Sequence, residues 1–166
     1  MSRTPRIFCP DLPDTGGAAT LGESASRHLL KVLRLKPRAE LRVFDGRGRE
    51  HAARLTGGSV KAAAIEVLEA CEPAPESPLS IRLLQGVGRG ERMDLVIQKA
   101  TELGVAAIVP VLSARSVVRL SGERAARRRE HWQSVAIGAC EQCGRATLPA
   151  ILEPCGLDEA LARLPA

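Results

Sequence analysis

Apolar and polar positions alternate in short runs through the first part of the chain and change to a longer period in the second. Arg6-Ile7-Phe8 opens a short strand, and a Pro/Gly/Asp-rich loop follows through Gly17. From Ser24 to Arg34 the apolar positions Leu29, Leu30 and Leu33 fall on one side of a helix. Leu41-Arg42-Val43-Phe44 alternates with period two and runs into Asp45-Gly46, a hairpin turn signal, after which Glu50 to Leu55 returns. Lys61 to Cys71 contains a further strand around Ile65-Glu66-Val67-Leu68. Short strands at this spacing, with one helix, predict a small β-barrel over residues 1–72.

Glu72-Pro73-Ala74-Pro75-Glu76-Ser77-Pro78 interrupts the pattern. Proline has no amide proton and a fixed φ, so three of them here stop both helix and central strand. Residues 73–78 are therefore expected to link two domains. Over residues 79–166 the period lengthens. Leu79 to Leu84 reads as a strand. Glu91 to Leu103 reads as a helix, with Met93, Val96, Ile97 and Ala100 on one face and Gly104 beyond its end. Ala107 to Leu112 is a short apolar strand. Ser121 can cap a long helix from Glu123 to Cys143, closed by Gly144. Ala150-Ile151-Leu152 is a third strand, and Asp158 to Leu164 begins another helix. Strand and helix in alternation predict a parallel α/β sheet with right-handed crossovers. Three strands and two full helices make about half of a usual doubly wound sheet, so the second domain is expected to be incomplete.

Composition adds limits. Of 166 residues, 45% are apolar and 26% charged, the balance of a globular chain with a real core. No run approaches the roughly 20 apolar residues of a membrane span. The basic start Met1 to Arg6 leads into no apolar signal core, so the expected location is the cytoplasm. The net charge of +5 lies wholly in residues 1–56, while residues 57–166 are neutral. Within that neutral part, residues 113–131 carry six arginines against Glu123 and Glu130. Two basic regions, built almost entirely from arginine, suggest a polyanionic partner gripped by planar phosphate forks. Aromatics are only Phe8, Phe44 and Trp132, too few for a sheet that reads bases by stacking. Contact through phosphate and shape is the expected mode.

Candidate chemistry is sparse. Five cysteines, an odd number, argue against a disulfide framework, and Cys140-Glu141-Gln142-Cys143 lacks two further ligands at zinc spacing, so no metal is expected. Gly86-Val87-Gly88-Arg89-Gly90 follows a strand, but Glu91 stands where the dinucleotide fingerprint needs its third glycine. Arg89 and Arg92 beside it remain candidate anion contacts. His28, Lys31 and Arg34 recur at intervals of three and can share a backbone-gripping face. Arg124, Arg127 and Arg128 lie together on the long helix, each able to neutralise a phosphate, and Arg6 and Arg115 complete the basic candidates. Glu91, Asp94 and Glu102 read as helix electrostatics. Glu141-Gln142-Cys143-Gly144-Arg145 sets an acid, an amide and an arginine at a helix end. Its spacing is compatible with a simple cap and with a site for a polar ring.

Together Arg6-Ile7-Phe8; His28 through Arg34; Phe44-Asp45-Gly46; Gly90 through Val105 with its Q-K-x-x-E-L-G-V core; and Ala139 through Arg145 with E-Q-C-G-R resemble the ribosomal RNA small subunit methyltransferase E family. The resemblance implies an N-terminal PUA-like RNA-binding barrel followed by a SPOUT α/β domain. It also implies a C-terminal trefoil knot, a homodimer, S-adenosylmethionine as methyl donor, and methylation of N3 of a uridine in 16S rRNA near the decoding site. Arg145 is then expected to hold the target nucleotide, with Glu141 and Gln142 positioning the loop. The family's donor-site strings, G-P-E-G-G and L-R-x-E-T-A, do not occur here, so no cofactor-binding residue can be assigned. The expectation is a partial SPOUT domain lacking the knot and inactive alone. The alternative is a non-catalytic RNA-binding protein or fragment.

Overall fold

Strand periodicity of two builds the first unit, which comprises Met1–Pro75 together with Gly144–Thr147. The structure, a computed structural model, describes residues 4–88, 90–112 and 121–163. Strands β1 (Arg6–Phe8), β2 (Ala18–Thr20), β3 (Glu40–Phe44), β4 (Glu50–Ser59) and β5 (Ala62–Cys71) form one sheet in the order β1-β3-β4-β5-β2. The β1–β3 pair is parallel and the others antiparallel. Alternate residues face one core: Leu41 and Val43 from β3, Ala53 and Leu55 from β4, Ala63, Ile65 and Val67 from β5. Ile7, Cys9, Leu12, Leu21 and Leu29 complete it. Each fully buried Leu, Ile or Val there contributes about 1.5–3 kcal/mol.

Among the described residues β1 and β2 end the strand order and no pairing joins them. Ala18–Thr20, to which the sequence pattern assigns no element, is a strand because its backbone pairs with Ala64 to Glu66 rather than because of its own propensity. The β4–β5 hairpin is also longer than the apolar pattern suggests, and its tip depends on Gly58. That residue has φ +102°, and an added Cβ would lie 2.3 Å from the Ala62 carbonyl oxygen.

The expected continuous helix divides into α1 (Glu23–Arg27) and a π-helical turn, His28–Val32. The Leu33 amide donates to the His28 carbonyl oxygen at 2.9 Å, the i→i+5 bond of a widened turn. Leu29 stays buried, but Val32 and Leu33 are 63% and 39% exposed, so an α-helical period misplaces Leu33.

In the second unit, Glu76–Cys143 and Leu148–Ala166, strands alternate with helices. Strands β6 (Arg82–Gly86), β7 (Ala107–Val111) and β8 (Ala150–Ile151) form a parallel sheet in that order. Helix α2 (Glu91–Glu102) follows β6, α3 (Gly122–Cys143) precedes β8, and α4 (Leu157–Ala162) follows it. All of β7 is buried, so successive residues enter different cores. Ile108 packs with Met93 and Ile97 of α2 and Trp132 and Ala136 of α3, while Val109 and Val111 pack with Cys155 and Ala160. Both faces of the central strand are thereby covered, as a parallel sheet requires. β6 begins three residues later than expected, leaving Leu79 and Ile81 exposed. Among the described residues no helix is long and apolar enough to cross a membrane.

Candidate functional site

The Glu-Gln-Cys-Gly-Arg segment stands where α3 ends. Trp132, Ala136, Ala139 and Cys140 fall on one buried face and fix the rotation of its last turns. That rotation leaves Glu141 half-buried and Gln142 exposed. Gly144, at φ +101°, takes the left-handed conformation that stops a helix. Arg145, half-buried, already belongs to the first unit, as do Ala146 and Thr147.

Within the first unit a buried ion pair meets that segment. The Nε and Nη2 of Arg6 donate to Oε1 and Oε2 of Glu50 at 3.2 and 2.8 Å, a two-pronged pair with both side chains nearly out of solvent. The guanidinium carbon lies 4.8 Å from the centre of the Phe44 ring. Nη2 of Arg6 also donates to the carbonyl oxygen of Arg145, at 3.3 Å. The more exposed Arg42 reaches the same carboxylate at 3.4 Å. Beside it, the loop between β3 and β4 is tied by Asp45, whose Oδ1 accepts the Arg47 and Arg49 amides at 2.7 and 3.1 Å. Gly48 of this loop donates its amide to the Ala146 carbonyl at 3.2 Å, and Gly46 and Arg47 form β-bridges with Thr147.

Arg6 was expected on a phosphate-facing surface. It is buried and its charge is matched by Glu50, which removes it from the RNA-contacting set. The partner Glu50 carries no local sequence signal, because it stands 44 residues away. His28, Lys31 and Arg34 are all exposed on one continuous segment, joined by Lys36 and Arg38. Arg34 and Arg38 hold positive φ angles of 52° and 75°, an unfavourable conformation for arginine. Arg92 is exposed in the first turn of α2. Arg124, Arg127 and Arg128 project from the exposed first turns of α3. Arg127 is paired with Glu123, while Arg124 and Arg128 have no ion-pair partner among the described residues. Arg89 and Arg115 lie outside the described residues. Asp94, read as helix electrostatics, also accepts a hydrogen bond through Oδ2 from His131 Nε2 at 2.8 Å, joining α2 to α3.

A comparison with family models matches residues 75–166 to an RNA methyltransferase domain and residues 21–68 to an RNA methyltransferase PUA domain. A solved ribosomal RNA small subunit methyltransferase E from Neisseria gonorrhoeae superposes with a TM-score of 0.92 at 44% identity, covering 99% of this chain and 67% of that one. The chain belongs to the ribosomal RNA small subunit methyltransferase E family. The Neisseria structure holds S-adenosyl methionine. A Legionella pneumophila protein solved with the cofactor SAM bound is similar at 36% identity and a TM-score of 0.93, covering 98% of this chain and 67% of that one. The Buchnera aphidicola (Acyrthosiphon pisum) methyltransferase E is 30% identical over 92% of this chain. The chain spans 60% of the length of that relative and 54% of its Bacillus subtilis counterpart.

The family's methyl donor needs acceptors for its ribose and amino-acid ends and a slot for its adenine. Among the described residues no such set is assigned. Neither family donor string occurs in the sequence. The buried polar atoms without a partner among the described residues are His51 Nδ1 in the first unit and Asp94 Oδ1 and Trp132 Nε1 in the second. The Trp132 ring is packed within the α2–α3 core. Among the described residues no group of three or more His, Cys, Asp or Glu side chains could hold a metal ion. All five cysteines are free thiols. Burial, then the nearby Asp11 and Asp45 charges, push the Cys9 thiol above its ordinary pKa of 9.0, against an opposing hydrogen bond to the Asp11 backbone.

Proposed function

We propose that the chain supplies the RNA-binding unit and the front of the catalytic unit of an S-adenosylmethionine-dependent methyltransferase acting on N3 of a uridine in 16S rRNA. The observation that carries this reading is the match of nearly the whole chain to the S-adenosyl methionine-bound Neisseria structure at 44% identity. S-adenosylmethionine, when bound, supplies an electrophilic sulfonium methyl group. The task left to this chain is to bring the RNA in and hold one nucleotide still. Lys31 and Arg34 on the π-helical segment, and Arg92, Arg124, Arg127 and Arg128 in the second unit, serve as phosphate contacts because they are exposed cations, and the exposed His28 ring serves beside them as a hydrogen-bonding group. Arg145 serves as a contact to the target nucleotide, with Glu141 and Gln142 setting the helix end before it. Closure of the PUA-like sheet into a barrel, the C-terminal knot, the homodimer and action in the cytoplasm on the small ribosomal subunit belong to the same reading. The 166-residue polypeptide by itself binds RNA and transfers no methyl group, since it lacks both donor strings.

The test is methyl transfer from labelled S-adenosylmethionine to small subunits lacking the modification. The chain alone is expected to give none. A chimera completed with the remaining third of the Neisseria relative is expected to label one uridine at N3. Turnover by the chain alone overturns its inactivity. A chimera that folds and binds the donor, yet modifies no uridine N3, overturns the assignment of reaction.

A further inference from the structure

We propose that the Arg6–Glu50 pair and the β3–β4 loop form a clamp that sets the position of Arg145, making Arg6, Glu50 and Gly48 positioning residues for the target nucleotide. The inference rests on the reading of Arg145 given above. Four observations carry it, all within the first unit. Arg6 uses one Nη2 for both the Glu50 carboxylate and the Arg145 carbonyl, so the fork that neutralises the carboxylate also grips the segment 139 residues away. Gly48 binds the next carbonyl, that of Ala146. Gly46 and Arg47 bridge the residue after it, Thr147. Asp45, itself buried, holds two amides of its own loop and so makes the gripping surface rigid. Three successive residues are therefore tied through backbone groups, and the tie does not depend on their side-chain chemistry.

A buried ion pair rarely adds net stability over apolar residues of similar volume, so stability alone does not account for Arg6 and Glu50. A planar fork with several fixed donors is suited to holding two acceptors at once, which an apolar pair cannot do. The clamp also joins three motifs whose spacing says nothing about one another: Arg6-Ile7-Phe8, Phe44-Asp45-Gly46 and the Glu-Gln-Cys-Gly-Arg segment.

The experiment uses the full 166-residue chain. Amide exchange and backbone relaxation are followed at Gly48 and residues 144–147. Affinity is measured for two small-subunit RNAs, one with the target uridine and one abasic at that position. The variants are Arg6→Met with Glu50→Leu, which fills the interior but deletes the clamp, and Arg145→Ala, which keeps the carbonyl. Arg6→Lys keeps the charge beside Glu50 without the fork and serves where the double variant fails to fold. Wild type is expected to prefer the uridine RNA by about tenfold, the scale of one charge-assisted hydrogen bond. Clamp variants are expected to exchange faster at Gly48, to gain motion at 144–147 and to lose the preference, while retaining salt-dependent affinity for both RNAs. Unchanged exchange and motion overturn the clamp. A mobile segment with the preference intact, alongside an Arg145→Ala variant that loses it, overturns the positioning role. An Arg145→Ala variant that keeps the preference refutes the reading of Arg145, and the exchange data then decide the clamp separately.

Discussion

Replacing Glu50 with glutamine tests the energetics of the first unit most directly. The two carboxylate oxygens accept two Arg6 donors, and the Arg6 and Glu50 side chains are 6% and 2% exposed. Glutamine keeps the size but leaves a buried guanidinium facing a neutral amide, of which one half is a donor. Removing one partner of a buried pair costs about 3–5 kcal/mol, mainly as the uncompensated charge left behind. The Phe44 ring and the Arg145 carbonyl still face Arg6, so the low end, about 3 kcal/mol, is the expected loss. Domain stabilities are commonly about 5–15 kcal/mol, so the variant folds but weakly. Urea unfolding followed by far-ultraviolet circular dichroism reads this as a midpoint lower by about 1–3 M, for a slope of about 1–3 kcal/mol per molar. Fluorescence locates the effect, because Trp132 is the sole tryptophan and is buried in the second unit. Arg42→Ala is the control: at 47% exposure and 3.4 Å from Glu50, Arg42 should cost less than about 1 kcal/mol. Arg6→Met with Glu50→Leu should recover most of the loss. A Glu50→Gln midpoint equal to wild type, or an equal loss from Arg42→Ala, refutes the reasoning.

Arg38→Gly should stabilise the chain by about 0.5–1 kcal/mol, because relief of the left-handed φ of 75° exceeds the entropy glycine adds to the unfolded state; a lower melting temperature would contradict this. Arg124, Arg127 and Arg128 replaced together by alanine should reduce the slope of log affinity against log salt by up to about 2 for single-stranded RNA, each phosphate contact contributing about 0.7. An unchanged slope, measured by filter binding or anisotropy, removes α3 from the RNA interface. Cys9 should react with iodoacetamide more slowly than Cys143 below pH 9, since its thiol is buried and its pKa raised. The sign for stability follows: the folded state holds the Cys9 proton more tightly, so this contribution is complete below pH 9.0 and declines as pH rises through the folded pKa. A Cys9→Ala variant should show a flatter alkaline limb in a pH series of unfolding midpoints.

Much of the second unit is legible because burial on both faces of β7 turns five consecutive apolar residues into a strand, and because Met93 and Ile97 repeat at helical spacing. Strand pairing in the first unit is legible from Leu41 to Leu55 for the same reason: alternate residues must face one core. Local pattern fails where the deciding partner is distant. Ala18–Thr20 is a strand only through β5. Leu33 is exposed because one carbonyl, that of His28, bonds five residues on rather than four. Arg6 read as a surface cation because arginine usually is one, and Glu50, which makes its burial possible, is indistinguishable by position from the other acids of the strand region.

The same distance argument orders the assembly of the candidate site. Glu50 is already available when β1, β3 and β4 pair, so Arg6 can be neutralised without any later residue. Arg145 and Thr147 leave the ribosome about a hundred residues later, a delay of roughly 5–20 s at ordinary synthesis rates. A socket with a bare Arg6 would be unstable over that interval, whereas one closed by Glu50 persists with Nη2 still able to take the Arg145 carbonyl. The carboxylate is therefore expected to make the buried arginine tolerable first and to hold it for the loop later, an order of events that is measurable. Stalled nascent chains ending near residue 100 should show the Arg6–Glu50 interior formed, with the Gly48 amide unprotected until residues past 147 have emerged.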